Sequence, residues 1–137
     1  MLSSAAMTDP EIAAIRQVLE SQVDLLLALV FGSVATGQAG ADSDVDIAVL
    51  ADHPLLAAER TPLIEEIALA TGRPVDLVDL RNAGEPLLGE ILQSGSRLLG
   101  SDEEYARLVS RHLVDAADFL PYRDRILEKR RIAWIGR

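Results

Sequence analysis

Cysteine is absent from this chain, so disulfides and thiolate metal sites are excluded and a reducing cytoplasm fits. No apolar run approaches the roughly 20 residues a membrane helix needs. The opening residues, Met1 to Thr8, lack a basic segment followed by an apolar core, which argues against a secretory signal. Met7 could serve as the start, leaving the first six residues as a disordered appendage. Basic charge is also scarce, with 13 basic against 22 acidic residues and a net charge of −9. An acidic domain repels a phosphate backbone, so no direct nucleic-acid partner is expected. What the chain does have is apolar content: 49% of 137 residues supports one packed domain rather than disorder.

The pattern along the chain predicts helices alternating with short strands. Asp9, Pro10 and Glu11 read as a helix start, with Asp9 as the N-cap, followed by a stripe of Ile12, Ile15, Val18 and Leu19. Val23 to Phe31 is a dense apolar run suited to a buried strand, and Gly32 ends it. Ser33 to Gln38 is expected as a short helix and Gly37 to Ser43 as a loop. Val45 to Leu50 is the second strand. Leu55 to Thr71 is helical, although Thr61-Pro62 within it resembles a second helix start and predicts two pieces or a kink. Gly72 stops it, and Val75 to Leu80 is the third strand. Pro86 to Ser94 is a short helix. A last helix begins at Ser101 with three acidic residues at its positive end and is expected to break at Pro121, resuming from Asp124. The sum is an α/β (α+β) domain with a small mixed three-stranded sheet flanked by helices. Its core lies within about residues 22–80, with C-terminal helices from about 84 to 137.

Two motifs carry chemistry. Gly32-Ser33 follows the first strand, and after ten further residues comes Asp44-Val45-Asp46 at the start of the second. Residues i and i+2 of a strand share a face, so Asp44 and Asp46 offer two carboxylates to one hard cation. Mg²⁺ typically binds one or two carboxylates together with substrate phosphates. Glycine allows close backbone approach, and a serine hydroxyl adds a hydrogen bond, which suits a turn that holds phosphate. A third carboxylate would complete a two-metal site. Asp76 and Asp79 on the third strand are the candidates, and their odd spacing places them on opposite faces. Asp76 is mid-strand, where a buried carboxylate is costly without a purpose, whereas Asp79 lies near an easily solvated end. That reasoning selects Asp76.

With Gly32-Ser33 and Asp44-Val45-Asp46 at this spacing, the chain resembles the minimal nucleotidyltransferases of the DNA polymerase β superfamily. The resemblance implies that Gly32 and Ser33 hold a nucleotide triphosphate and that Asp44, Asp46 and Asp76 are the catalytic, Mg²⁺-binding carboxylates. It also implies attack of an acceptor hydroxyl on the α-phosphorus of ATP. Asp76-Leu77-Val78-Asp79-Leu80, Pro86-Leu87-Leu88, Gly95, Leu98-Leu99 and Phe119-Leu120-Pro121-Tyr122 are further similar to the MntA-like antitoxins encoded beside HEPN-domain ribonuclease toxins. This implies AMP transfer onto a tyrosine of a cognate HEPN toxin, with a hetero-oligomer and partner contact through the C-terminal helices. Many relatives carry an arginine where this chain has Val34-Ala35-Thr36-Gly37, a departure that implies weaker phosphate affinity unless an arginine elsewhere compensates.

Two alternatives remain open from the residues. One keeps the chemistry with a small aminoglycoside-type acceptor, for which little chain remains after Leu80. The other is a non-catalytic module acting by occlusion, which would leave three carboxylates idle. Outside the motif, His53 reads as a solvated turn residue and His112 as a packing residue. Tyr105 and Tyr122 read as core or helix-junction residues, and Trp134, Ile132 and Ile135 as packing. The cluster Arg123, Arg125, Lys129, Arg130, Arg131 and Arg137 reads as a solvated helix end.

Overall fold

The computed structural model describes residues 7–22, 24–32 and 43–135, with residues 119–124 and 126–135 described by their backbone alone. Ser33, the expected helix and loop between it and Asp42, and the first six residues lie outside the described set. So do the side chains of Tyr122, Trp134 and most of the C-terminal basic cluster.

Helix α1 spans Asp9–Gln22. Its cap is Thr8 rather than Asp9. The Thr8 hydroxyl accepts from the Glu11 amide at 3.2 Å, and the Glu11 carboxylate accepts from the Thr8 amide at 3.2 Å. This reciprocal pair satisfies two donors that a helix start otherwise leaves open. Strands β1 (Leu25–Phe31) and β2 (Val45–Ala51) pair antiparallel, and both are largely buried because layers of helix cover both faces. Helix α2 (Ala57–Thr71) carries the chain across the sheet, so that β3 (Val75–Asp79) pairs parallel with β2. Helix α3 (Leu87–Ser94), strand β4 (Ser96–Gly100) and helix α4 (Asp102–Ile135) complete the described chain.

The sheet is mixed, as expected, but has four strands in the order β3-β2-β1-β4 rather than three. Strand β4 pairs antiparallel with the free edge of β1 and places Leu98 in the core. Its existence follows from hydrogen-bonding need: without it, β1, buried along most of its length, would leave a row of backbone groups unpaired. Arg16 of α1 fastens this edge by donating to the Leu98 carbonyl at 2.8 Å.

Two apolar layers hold the domain. On one face Ile15 and Leu19 of α1 and Leu63 and Ile67 of α2 pack on Val45, Ile47, Val49 and Leu77. On the other, Leu88 and Ile91 of α3 and Leu108 of α4 pack on Leu27, Leu29, Phe31 and Ala48. Helix α2 is not divided into two pieces at Pro62, and α4 does not end at Pro121. Helix α2 runs continuously through Pro62, with Glu59 accepting from the Leu56 amide at 3.0 Å to fix its first turn. Leu63 and Ile67, fully buried beyond the proline, hold the helix to the sheet. The helical backbone of α4 likewise continues past Pro121. An interior proline removes one hydrogen bond, which bends a helix without necessarily ending it. Among the described residues no helix is long and apolar enough to cross a membrane.

Candidate active site

Strand pairing alone assembles the centre of the site. Phe31, the last residue of β1, lies opposite Asp46, and Asp46 lies beside Asp76 in the parallel pair. Adjacent strands are about 4.8 Å apart. The end of β1, Asp46 and Asp76 therefore form one row across one end of the sheet. Asp46 and Asp76 share the face covered further along by α3 and α4, and Asp44, just before β2, is near enough for its charge to act on Asp46. Partial burial, then the charge of Asp76, then that of Asp44 raise the Asp46 pKa above its ordinary value.

Gly32 is fitted to this row. Its φ of +77° lies in the left-handed region that favours glycine. A Cβ built there would collide with Asp46 Oδ2. The turn after β1 therefore lies directly against the carboxylate, leaving room only for backbone. The Gly32 amide donates to Ser94 Oγ at 3.3 Å, and Ser94 in turn donates to the Glu90 carbonyl at 2.9 Å. The end of α3 thus braces the turn. Ser94 was not singled out from the sequence, since the contact spans 62 residues of chain.

The structure brings Asp76 to Asp46 and separates Asp79 from both, while reversing the burial argument that chose between them. Asp76 is exposed because β3 is an edge strand. Asp79, only 8% exposed, is the buried one. Its carboxylate accepts from the Leu55 amide and the Arg81 amide, both at 3.0 Å, tying the exit of β3 to the approach to α2. Asp79 is affordable in the interior because it is hydrogen-bonded.

The entrance to β2 has its own support. Val45 donates to the Pro74 carbonyl at 2.8 Å, one residue beyond Arg73. Arg73, 6% exposed, donates from Nε to Glu11 at 3.2 Å and reaches the Ser43 carbonyl from Nη1 at 3.5 Å. Against burial, the backbone hydrogen bond at Thr8 and the hydrogen bond and charge of Arg73 leave the Glu11 pKa below its ordinary value. Neither Glu11 nor Arg73 carries a local sequence signal for this role.

The remaining side chains lie elsewhere. His53 is more than a solvated turn residue: Asp52 sits 2.6 Å from Nδ1 and Glu59 2.9 Å from Nε2. Those hydrogen bonds, Asp52 first, raise its pKa. His112 packs its Nδ1 3.0 Å from Glu85. Tyr105 lies at the junction of β4 and α4 beneath Arg97, 5.1 Å from the ring centroid.

As a donor set, Asp44, Asp46 and Asp76 are hard oxygen ligands suited to Mg²⁺. Among the described residues no three acidic or histidine side chains are drawn in as a ready cage. Burial first, and then the charges of Asp76 and Asp44, disfavour the ionised Asp46 carboxylate, and a divalent cation would offset that cost.

Comparison with known proteins identifies the family and the fold. Residues 13–104 match the family described as Polymerase beta, Nucleotidyltransferase. The protein adenylyltransferase MntA of Shewanella oneidensis is 39% identical over 80 residues, and the match spans 58% of each chain. A solved toxin–antitoxin with AMP-PNP contains a chain 29% identical, with a TM-score of 0.79, covering 86% of this chain and 96% of that one. The complex of a tri-AMPylated Shewanella oneidensis HEPN toxin with its MNT antitoxin gives 27% identity and a TM-score of 0.76, covering 90% and 98%.

Proposed function

This chain belongs to the polymerase β nucleotidyltransferase family, and from that premise we propose that it is an antitoxin adenylyltransferase. It transfers AMP from ATP to a tyrosine hydroxyl of a cognate HEPN ribonuclease toxin and thereby neutralises it. The observation that carries this reading is the row formed by Gly32, Asp46 and Asp76, with Asp44 beside it. The named activity of the Shewanella relative and the AMPylated toxin in the similar complex supply the acceptor class.

The acceptor oxygen forms a bond to the α-phosphorus while the bond to the bridging oxygen breaks, and pyrophosphate leaves. Asp44 and Asp46 would hold Mg²⁺, with Asp76 as the third carboxylate. The ion supplies charge neutralisation on the phosphates and a lowered pKa for the attacking hydroxyl. Gly32 and Ser33 bind the triphosphate, and the glycine lets the turn lie against Asp46 where a side chain has no room. Asp76, exposed at the edge strand, is open to a protein-borne hydroxyl, and its oxygen takes the hydroxyl proton. No protein nucleophile is required, because positioning and charge lower the barrier.

The exposed edge suits a macromolecular acceptor better than an enclosed small molecule. Helix α4 offers the contact: Leu113 and Val114 are each 62% exposed, although apolar. The setting is the cytoplasm, where ATP and a ribonuclease target coexist. The test is to co-purify the chain with the neighbouring HEPN protein, add Mg²⁺ and ATP, and weigh the partner. A mass gain of one or more AMP units supports the reading. An unmodified partner that is still inhibited by an Asp44→Ala/Asp46→Ala variant replaces it with occlusion.

A further inference from the structure

We infer that Arg73, clamped by Glu11, is a positioning residue that sets the Asp44 carboxylate for the metal. The inference rests on the proposed reading of Asp44 and Asp46 as metal ligands.

Asp44 precedes β2 and is exposed, so the strand's own ladder does not fix it. Its neighbours on both sides are fixed by one short segment of chain. The Ser43 carbonyl receives the Arg73 guanidinium, and the Val45 amide donates to the Pro74 carbonyl at 2.8 Å. Residues 73 and 74 therefore grip the backbone immediately before and immediately after Asp44. The guanidinium is itself held from a third element. Glu11 of α1 receives Nε at 3.2 Å, and Glu11 is immobilised by the cap it forms with Thr8. The Arg73 amide also donates to Thr71 Oγ1 at 3.2 Å, which fixes the start of the segment at the end of α2.

The chemistry favours arginine. Two donors of one planar fork meet a carboxylate in one direction and a carbonyl in another, a geometry an ammonium cannot reproduce. A buried guanidinium is costly unless paired, and Glu11 supplies that partner while the Ser43 carbonyl takes a second donor. Because Arg73 grips backbone, it acts through the direction in which the Asp44 side chain leaves the strand. Groups that orient metal ligands commonly govern metal affinity as strongly as one or two orders of magnitude.

The experiment measures Mn²⁺ binding to the full chain by the electron paramagnetic resonance signal of the free ion, together with the melting temperature. Arg73→Lys keeps the charge and loses the fork. Its expected result is an affinity for Mn²⁺ weaker by about tenfold. Glu11→Gln keeps a hydrogen-bond acceptor and loses the ion pair, and is expected to weaken binding in the same direction by a smaller factor. If Arg73→Lys fails to fold, Glu11→Gln decides. Folded variants with wild-type Mn²⁺ affinity and only a lower melting temperature would show a purely structural role and overturn the inference. Absence of Mn²⁺ binding by the unaltered chain is a separate outcome, which removes the metal reading and the positioning role with it.

Discussion

At the scale of single residues, the site depends on one missing side chain. Gly32→Ala would force a Cβ into Asp46 Oδ2 from a backbone at φ +77°. Misplacing a reacting group by about 1 Å can cost about 100-fold in rate. Nucleotide transfer by Gly32→Ala is therefore expected to fall by at least about that factor in a steady-state assay. Activity within twofold of the parent would show that the turn and the carboxylate are not mutually fitted. Asp76→Asn tests the edge carboxylate. Being exposed, the residue should change stability by no more than about 0.5 kcal/mol, while transfer drops about 100-fold or more. The trio Asp52, His53 and Glu59 makes a separate, pH-dependent prediction. The raised His53 pKa means that its contribution is complete below the ordinary value of 6.5 and is lost as pH rises through the folded value. The lowered Asp52 and Glu59 values mean that theirs is present above 3.8 and 4.5 and is lost as pH falls through the folded values. The effect of His53→Ala on urea stability should therefore be greatest between the carboxylate and histidine ranges. An NMR titration placing His53 at or below 6.5 would contradict this.

At the scale of elements, the core and the outer faces should respond oppositely to truncation. Ile47 is fully buried in the central strand, and Ile47→Ala should cost about 2–5 kcal/mol in chemical denaturation. Leu69 on α2 is 80% exposed, and Leu69→Ala should change stability by no more than about 0.5 kcal/mol. Equal losses at both positions would mean that the outer face of α2 is covered. Apolar pattern and flanking turn residues make the helices and the first three strands legible, β3 through its run of Val75, Leu77 and Val78 after Pro74. Strand β4 escapes that reading: its five residues bury only Leu98, and its cause is the need of β1 for a partner, which no local pattern records. Pro62 misleads for the opposite reason. Thr61-Pro62 is a plausible local helix start, yet the tertiary contacts of Leu63 and Ile67 and the Glu59 cap keep α2 whole. In the site, Asp44, Asp46 and Asp76 stand out through spacing and strand position. Arg73, Glu11 and Ser94 do not, because each acts across 30 to 62 residues of chain. The choice of Asp76 rests on a burial argument that the structure turns round, since edge position exposes Asp76 while backbone amides make the interior hospitable to Asp79.

At the scale of the whole molecule, one end of the mixed sheet carries acidic chemistry while both faces are sealed by helices. The net charge of −9 disfavours direct contact with RNA, so under the proposed function the chain would act on the ribonuclease itself. The most direct test of that claim is the intact mass of the HEPN partner after incubation with this chain, Mg²⁺ and ATP. The account predicts a gain of one or more AMP units on a tyrosine, abolished by Asp44→Ala/Asp46→Ala. A partner of unchanged mass that is nonetheless inactivated would contradict it.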